Sequence, residues 1–86
     1  MFRLVYEKRV FKDLDKIPNA DVERIVNLFK KLSADPTLPG SKRLSGHAGL
    51  YRVRQGDYRI IYSIALKEKW IKIILVRHRK DVYRQL

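Results

Sequence analysis

The dipeptide Gly56-Asp57 lies between two segments in which apolar and polar residues alternate, residues 50–55 and 58–64. Such alternation is typical of β-strands, and a two-residue connection with glycine in its first position is typical of a tight β-hairpin. Glycine matters here because the turn requires a backbone conformation with positive φ. The sequence therefore predicts an antiparallel hairpin whose pairing register is fixed by the length of its turn.

The other elements are predicted from apolar periodicity and from the positions of proline. They are a strand over residues 2–6, a helix that ends at Pro18, a second helix from about residue 19 to Asp35, a loop over residues 36–49 and a third meander strand over residues 70–77. This order predicts an α+β fold in which a two-helix hairpin packs on one face of an antiparallel sheet. The chain is short enough to form one domain over residues 1–86.

The hairpin register brings arginines together. Arg54 is placed opposite Arg59, and Arg52 projects to the same face because alternate strand residues share a face. Like charges directly opposite one another are unfavourable by up to roughly 1 kcal/mol, and no acidic residue in either strand offsets them. Because guanidinium groups suit phosphate, the cluster predicts an anion site; the alternative is a solvated face whose guanidiniums spread into water. The face beneath the helices is assigned to Tyr51, Val53, Ile60 and Tyr62.

The distribution of charge indicates the class of partner. Residues 1–41 hold eight basic and six acidic side chains, a net charge of +2, whereas residues 42–86 hold twelve and three, a net charge of +9. Such an excess repels itself in a folded chain, so it favours a polyanionic partner, with nucleic acid ahead of an acidic protein; the alternative is a basic surface that only keeps the protein soluble.

Composition also excludes several classes of protein. The chain has no cysteine, and His47 and His78 stand without a supporting carboxylate pattern, so neither disulfides nor a metal site are expected. No apolar run approaches the length of a membrane span, and the first residues do not resemble a signal peptide. We therefore expect a soluble cytoplasmic protein without membrane contacts.

A second polar group follows the last predicted strand and consists of Arg77, His78, Arg79, Lys80, Tyr83 and Arg84. If that strand pairs with residues 58–64, the group falls near Arg59. The alternatives are a solubilising tail and, for Tyr83, a packing anchor. The candidate RNA contacts outside the catalytic group are Lys42, Arg43, Arg77 and Lys80.

Four segments resemble the RelE side of the RelE/ParE toxin superfamily: Leu44-Ser45-Gly46, Tyr51-Arg52-Val53-Arg54, Gly56-Asp57-Tyr58-Arg59-Ile60-Ile61-Tyr62 and Val76-Arg77-His78-Arg79-Lys80-Asp81-Val82-Tyr83. The resemblance spans essentially the whole chain. It implies the toxin of a toxin–antitoxin pair, a ribosome-dependent endoribonuclease that cleaves mRNA in the A site by metal-independent attack of a ribose 2′-hydroxyl, with no cofactor. It also implies the partners, which are the ribosome, mRNA and an acidic cognate antitoxin.

The resemblance further implies roles for individual residues. Arg52 and Arg54 match basic positions of the site, Arg59 the arginine that binds the phosphate, Arg79 a basic residue near the end of the last strand and Tyr83 a C-terminal tyrosine that positions RNA or transfers a proton. Arginine stays protonated and transfers protons poorly. His78 is therefore the candidate general base, and a stacking or hydrogen-bonding contact to RNA is its alternative role.

Two other functions fit the same fold and charge. One is a ParE-like inhibitor of DNA gyrase, and the other is a non-enzymatic module that binds RNA or the ribosome. For the toxin, we expect the antitoxin to cover the arginine face, with Ile61 contributing an apolar contact.

Overall fold

The structure, a computed structural model, describes residues 1–80. Its elements in chain order are strand β1 (Arg3–Tyr6), helix α1 (Lys8–Asp15), helix α2 (Asn19–Ala34) and the strands β2 (Lys42–Arg43), β3 (Leu50–Gln55), β4 (Tyr58–Ala65) and β5 (Trp70–His78). The predicted α+β class and the order strand, helix, helix, meander are confirmed. Neither helix in this part of the chain is long and apolar enough to cross a membrane.

The strands form one sheet in the order β1-β5-β4-β3-β2. Strands β3, β4 and β5 pair antiparallel as the predicted meander. Two predictions about the sheet were wrong. Strand β1 runs parallel to β5, because the long connection through both helices allows a parallel pairing, and the sheet is therefore mixed. The predicted loop over residues 36–49 contains β2, whose two residues pair with β3 and are too few to produce a periodic pattern.

The helices cover one face of the sheet. The buried residues between them include Val10, Ile25, Phe29, Leu32, Val53, Ile60, Tyr62, Ile71, Ile73 and Val76. Tyr51 packs on the margin of this core, so the predicted helix-facing side of the hairpin is confirmed. The Tyr62 hydroxyl donates a hydrogen bond to the carbonyl of Pro36 at 2.7 Å. This bond ties the loop after α2 to the middle of the sheet.

A smaller apolar cluster lies on the other face and consists of Leu44, Ile61, Ile74 and Leu75, with Leu50 packed against it. Ile61 is fully buried in this cluster. The prediction that Ile61 offers an apolar contact to an antitoxin was therefore wrong, because neighbouring side chains of the same chain already cover it.

Candidate active site

The β3–β4 hairpin has the register predicted from its turn. Arg54 pairs with Arg59, and Arg52 pairs with Ile61. Gly56 adopts a φ of +60°, a conformation that a side chain would strain. The three arginines consequently share the face that is turned away from the core beneath the helices.

These arginines line an open cavity of about 330 Å³ together with Gly40, Lys42 and Val53. Lys42 reaches the cavity because strand β2 places it opposite Arg52. Four of the six lining residues are cationic and none is acidic. The cavity therefore has a positive potential and favours an anionic ligand.

Arg59 has an unused donor in this cavity. Its Nε atom is buried and has no hydrogen-bond partner within residues 1–80. A buried donor without a partner costs about 1–3 kcal/mol, and more in a charged group. By contrast, Nε of Arg54 donates to the carbonyl of Gly56 at 3.0 Å. Because Arg59 also lines the cavity, an anion bound there is the candidate ligand for its guanidinium.

The hairpin turn also holds the end of β5. The backbone N–H of Arg79 donates to the carbonyl of Asp57 at 2.7 Å. Nε of Arg79 lies 3.9 Å from Oδ1 of the same aspartate, in a solvent-exposed ion pair. Since Gly56 in the same turn accepts from Arg54, the turn positions Arg54 and Arg79 at one end of the sheet.

Residues 4–83 match a protein family described as the ParE toxin of the type II toxin–antitoxin system parDE. The chain belongs to the RelE/ParE toxin superfamily. Toxin RelG of Mycobacterium tuberculosis is 33% identical over 75 residues, which cover 86% of each chain. RelE1 of Methanocaldococcus jannaschii is 31% identical over 87 residues, with 96% of each chain covered.

A solved structure gives the same assignment. A chain of the archaeal RelE–RelB complex from Pyrococcus horikoshii superimposes with a TM-score of 0.80 and 35% identity, over 91% of this chain and 94% of that one. The protein is thus a RelE-like toxin of a toxin–antitoxin system.

The structure of the toxin does not bring His78 into the arginine cavity. His78 pairs with Tyr58, whose side chain packs on the core beneath the helices. The two rings meet edge to face, with centroids 5.7 Å apart. Nδ1 of His78 also accepts a long hydrogen bond from the backbone N–H of Lys80, at 3.4 Å. The candidate base therefore lies at the end of β5, on the opposite side of the sheet from Arg59.

The remaining predicted residues either do not line the arginine cavity or lie outside the described part of the chain. Arg77 lies opposite Arg59 and forms an ion pair with Asp13 of helix α1. Arg43 pairs with Tyr51 and does not line the arginine cavity. It lines a separate cavity of about 570 Å³ beside the loop before β3. Lys80 is exposed, and Tyr83 lies outside the described residues.

The sequence interpretation missed Asp13. It follows Val10 by three positions and precedes Ile17 by four, and both of those residues are buried. This spacing places a carboxylate on the buried stripe of α1. Since buried carboxylates are usually paired, the spacing alone predicts a cationic or N–H partner for Asp13.

Proposed function

We propose that this RelE-like toxin is a ribosome-dependent endoribonuclease that cleaves mRNA in the ribosomal A site and so inhibits translation. The proposal depends on Arg59, whose buried Nε–H has no partner within residues 1–80, and on the cavity that Arg59 lines with Arg52, Arg54 and Lys42. A cationic cavity with an unused donor suits an anionic oxygen, and the mRNA backbone supplies one at every phosphate. The similarity to RelE proteins supports mRNA as the substrate.

The proposed reaction is a transphosphorylation. The ribose 2′-oxygen attacks the adjacent phosphorus and loses its proton to a base. The bond from phosphorus to the 5′-oxygen breaks, and that oxygen takes up a proton. The products are a 2′,3′-cyclic phosphate and a 5′-hydroxyl, and the scheme requires no metal ion. Negative charge grows on the phosphate oxygens in the transition state, and Arg54, Arg59 and Arg79 stabilise it.

Proton transfer is assigned to His78 and Tyr83, because the arginines stay protonated. His78 lies at the end of β5, next to Arg79 but on the opposite face of the sheet from Arg59. Because Nδ1 accepts a hydrogen bond from Lys80, Nε2 carries the proton of the neutral ring, so His78 acts as a base only after Nδ1 is released from that bond. In this scheme the arginines bind the phosphate, and the ring of His78 must turn away from Tyr58 towards the arginine face to reach the adjoining 2′-hydroxyl.

The ribosome is assigned the task of orienting the RNA. The arginine cavity is an open depression on the sheet, so it binds one phosphate without fixing the neighbouring nucleotides. In-line attack by the 2′-oxygen requires a defined ribose conformation, and positioning of this kind contributes several kcal/mol to a rate. The ribosome would hold the mRNA in the A site with its ribose already oriented for this attack.

A second proposed partner is a cognate antitoxin related to RelB. The similar Pyrococcus horikoshii chain was solved as a RelE–RelB complex. This chain carries a net charge of +11, so a complementary antitoxin is acidic where it covers the arginine face. An antitoxin on that face would block RNA binding and would therefore inhibit the toxin.

Primer extension on translated mRNA after induction of the toxin tests the proposal. We expect discrete cuts within codons that disappear without ribosomes, and 2′,3′-cyclic phosphate ends. Free 3′-hydroxyl ends with 5′-phosphates would contradict the chemistry. Intact mRNA with inhibited DNA gyrase would instead indicate the ParE-like function, and intact mRNA with stalled ribosomes a binding module.

A further inference from the structure

Asp13 of helix α1 uses both of its carboxylate oxygens at the end of β5. Its side chain is 9% exposed. Oδ2 accepts a hydrogen bond from the backbone N–H of Val76 at 3.0 Å. Oδ1 forms an ion pair with the guanidinium of Arg77. One buried side chain thus holds the strand backbone and the neighbouring guanidinium at the same time.

The bond to Val76 takes the place of a sheet partner. Strand β1 pairs with β5 only as far as Tyr6, opposite Ile73, so the following residues of β5 have helix α1 on that edge. There, Nε of Arg9 donates to the carbonyl of Ile74 at 3.0 Å, and Asp13 accepts from Val76. Helix α1 therefore fixes the edge of β5 through side chains.

Arg77 connects Asp13 to the arginine cavity. It lies opposite Arg59 on β4, which in turn lies opposite Arg54 on β3. The Cα atoms of paired residues on adjacent strands are about 4.5–5.5 Å apart, so the backbone positions of the three arginines form a row across the sheet. The Arg77 side chain is only 19% exposed, and its terminal nitrogen also donates to the carbonyl of Val76 at 3.1 Å. Asp13 thus neutralises and immobilises one end of the row.

We propose that Asp13 is a positioning residue for RNA cleavage. It fixes the guanidinium of Arg77 and offsets repulsion along the row, so that the cavity around Arg59 is formed before RNA binds. This inference rests on the proposed function. It has a distinctive consequence, because removing the carboxylate raises the positive potential and favours RNA binding, whereas losing the fixed geometry slows the chemical step. A merely structural residue would not separate these two effects.

The substitution Asp13→Asn tests the proposal, because it keeps the side-chain size and an acceptor for Val76 but removes the charge. Asp15→Asn is the matched control, since Asp15 is exposed on the same helix and its substitution changes the net charge equally. In single-turnover cleavage on programmed ribosomes, we expect Asp13→Asn to lower the maximal rate about tenfold or more without raising the half-saturating toxin concentration. An unchanged rate, or an equal loss in Asp15→Asn, would overturn the proposal.

The substitution Arg77→Lys tests the same link while leaving Asp13 in place. Lysine keeps the charge opposite the carboxylate but lacks the planar fork that fixes the group in two directions. We expect a lower maximal rate with unchanged binding. A rate equal to that of the wild type would also overturn the positioning role.

Two measurements that do not depend on cleavage separate this inference from the proposed function. One is binding of the same mRNA with a 2′-deoxy nucleotide at the cleavage site, and the other is the NMR signal of the Arg77 Nε–H group. We expect Asp13→Asn, but not Asp15→Asn, to shift and broaden that signal, and the deoxy mRNA to bind at least as tightly. An unchanged Arg77 signal refutes the anchoring role. A wild-type protein that shows the anchored signal and binds mRNA without cutting it refutes the proposed function instead.

Discussion

The two faces of the β3–β4 hairpin differ in what their side chains do. On the helix side, Ile60 and Tyr62 are fully buried in the core. On the other side, Arg54 and Arg59 lie directly opposite one another and line a cavity. The first arrangement stabilises the fold, whereas the second destabilises it by charge repulsion. Because strand side chains alternate, one backbone register supplies both the buried core residues and the paired arginines.

Two arginines outside the hairpin have carboxylate partners. Arg9 lies 3.3 Å from a carboxylate oxygen of Glu7, and Arg24 lies 3.4 Å from one of Asp21. Such exposed pairs contribute only about 0–1 kcal/mol each, but they neutralise the charge locally. Within residues 1–80, by contrast, the buried Nε–H of Arg59 has no hydrogen-bond partner. This difference supports the proposed anion site at Arg59.

The largest expected effect is that of Arg59→Ala on activity. Removal of a donor that stabilises the transition state should lower mRNA cleavage on ribosomes by about 10²–10³-fold. The free energy of unfolding should stay the same or rise, because repulsion with Arg54 is relieved. Cleavage rates and urea unfolding measure the two quantities. Arg24→Ala removes the same charge from the exposed side of α2 and serves as the control. Full activity in Arg59→Ala would remove Arg59 from the site, and a large loss of stability would break the division between the faces.

The next effect in size concerns the other face. Ile60→Ala should lower the free energy of unfolding by about 2–5 kcal/mol, because it leaves a cavity in a fully buried position. Ile60→Val should cost only about 0.5–1.5 kcal/mol and is the matched control. Urea unfolding gives both values. Cleavage per folded molecule, measured at low temperature, should stay near the wild-type level. A loss of cleavage as large as that of Arg59→Ala would show that the two faces are not independent.

The hairpin register could be predicted because it depends on a local feature. The two-residue turn at Gly56 determines that Arg54 lies opposite Arg59, whatever the rest of the chain does. The position of Arg77 could not be predicted in the same way. It depends on a longer connection between β4 and β5 and on a register shift at Ile61 and Tyr62, neither of which has a sequence signal of comparable strength.

Strand β2 and the role of Asp13 depend on contacts that are distant in sequence. The two residues of β2 are strand-like only because β3 lies beside them. The partners of Asp13, Val76 and Arg77, are more than sixty positions away along the chain. Periodicity locates Asp13 on the buried stripe of its helix but does not identify its partners. The cluster of Arg52, Arg54 and Arg59 was therefore predictable, whereas the groups that hold Arg77 were not.

The smallest expected effect sharpens the comparison on the helix side. Burial raises the pKa of Tyr62 above its ordinary value of 10.0, so the folded state favours the protonated hydroxyl that donates to Pro36. Stability from this group is fully present below about pH 10 and falls as the pH rises through the higher folded-state pKa, with a limiting slope of about 1.4 kcal/mol per pH unit. Tyr62→Phe removes the titration and the hydrogen bond, at a cost of about 1 kcal/mol near neutral pH. In urea unfolding between pH 8 and 11, the difference in the free energy of unfolding between the wild type and Tyr62→Phe should therefore shrink as the pH rises. If the free energy of unfolding changed with pH in the same way for both proteins, burial would not raise the pKa of Tyr62.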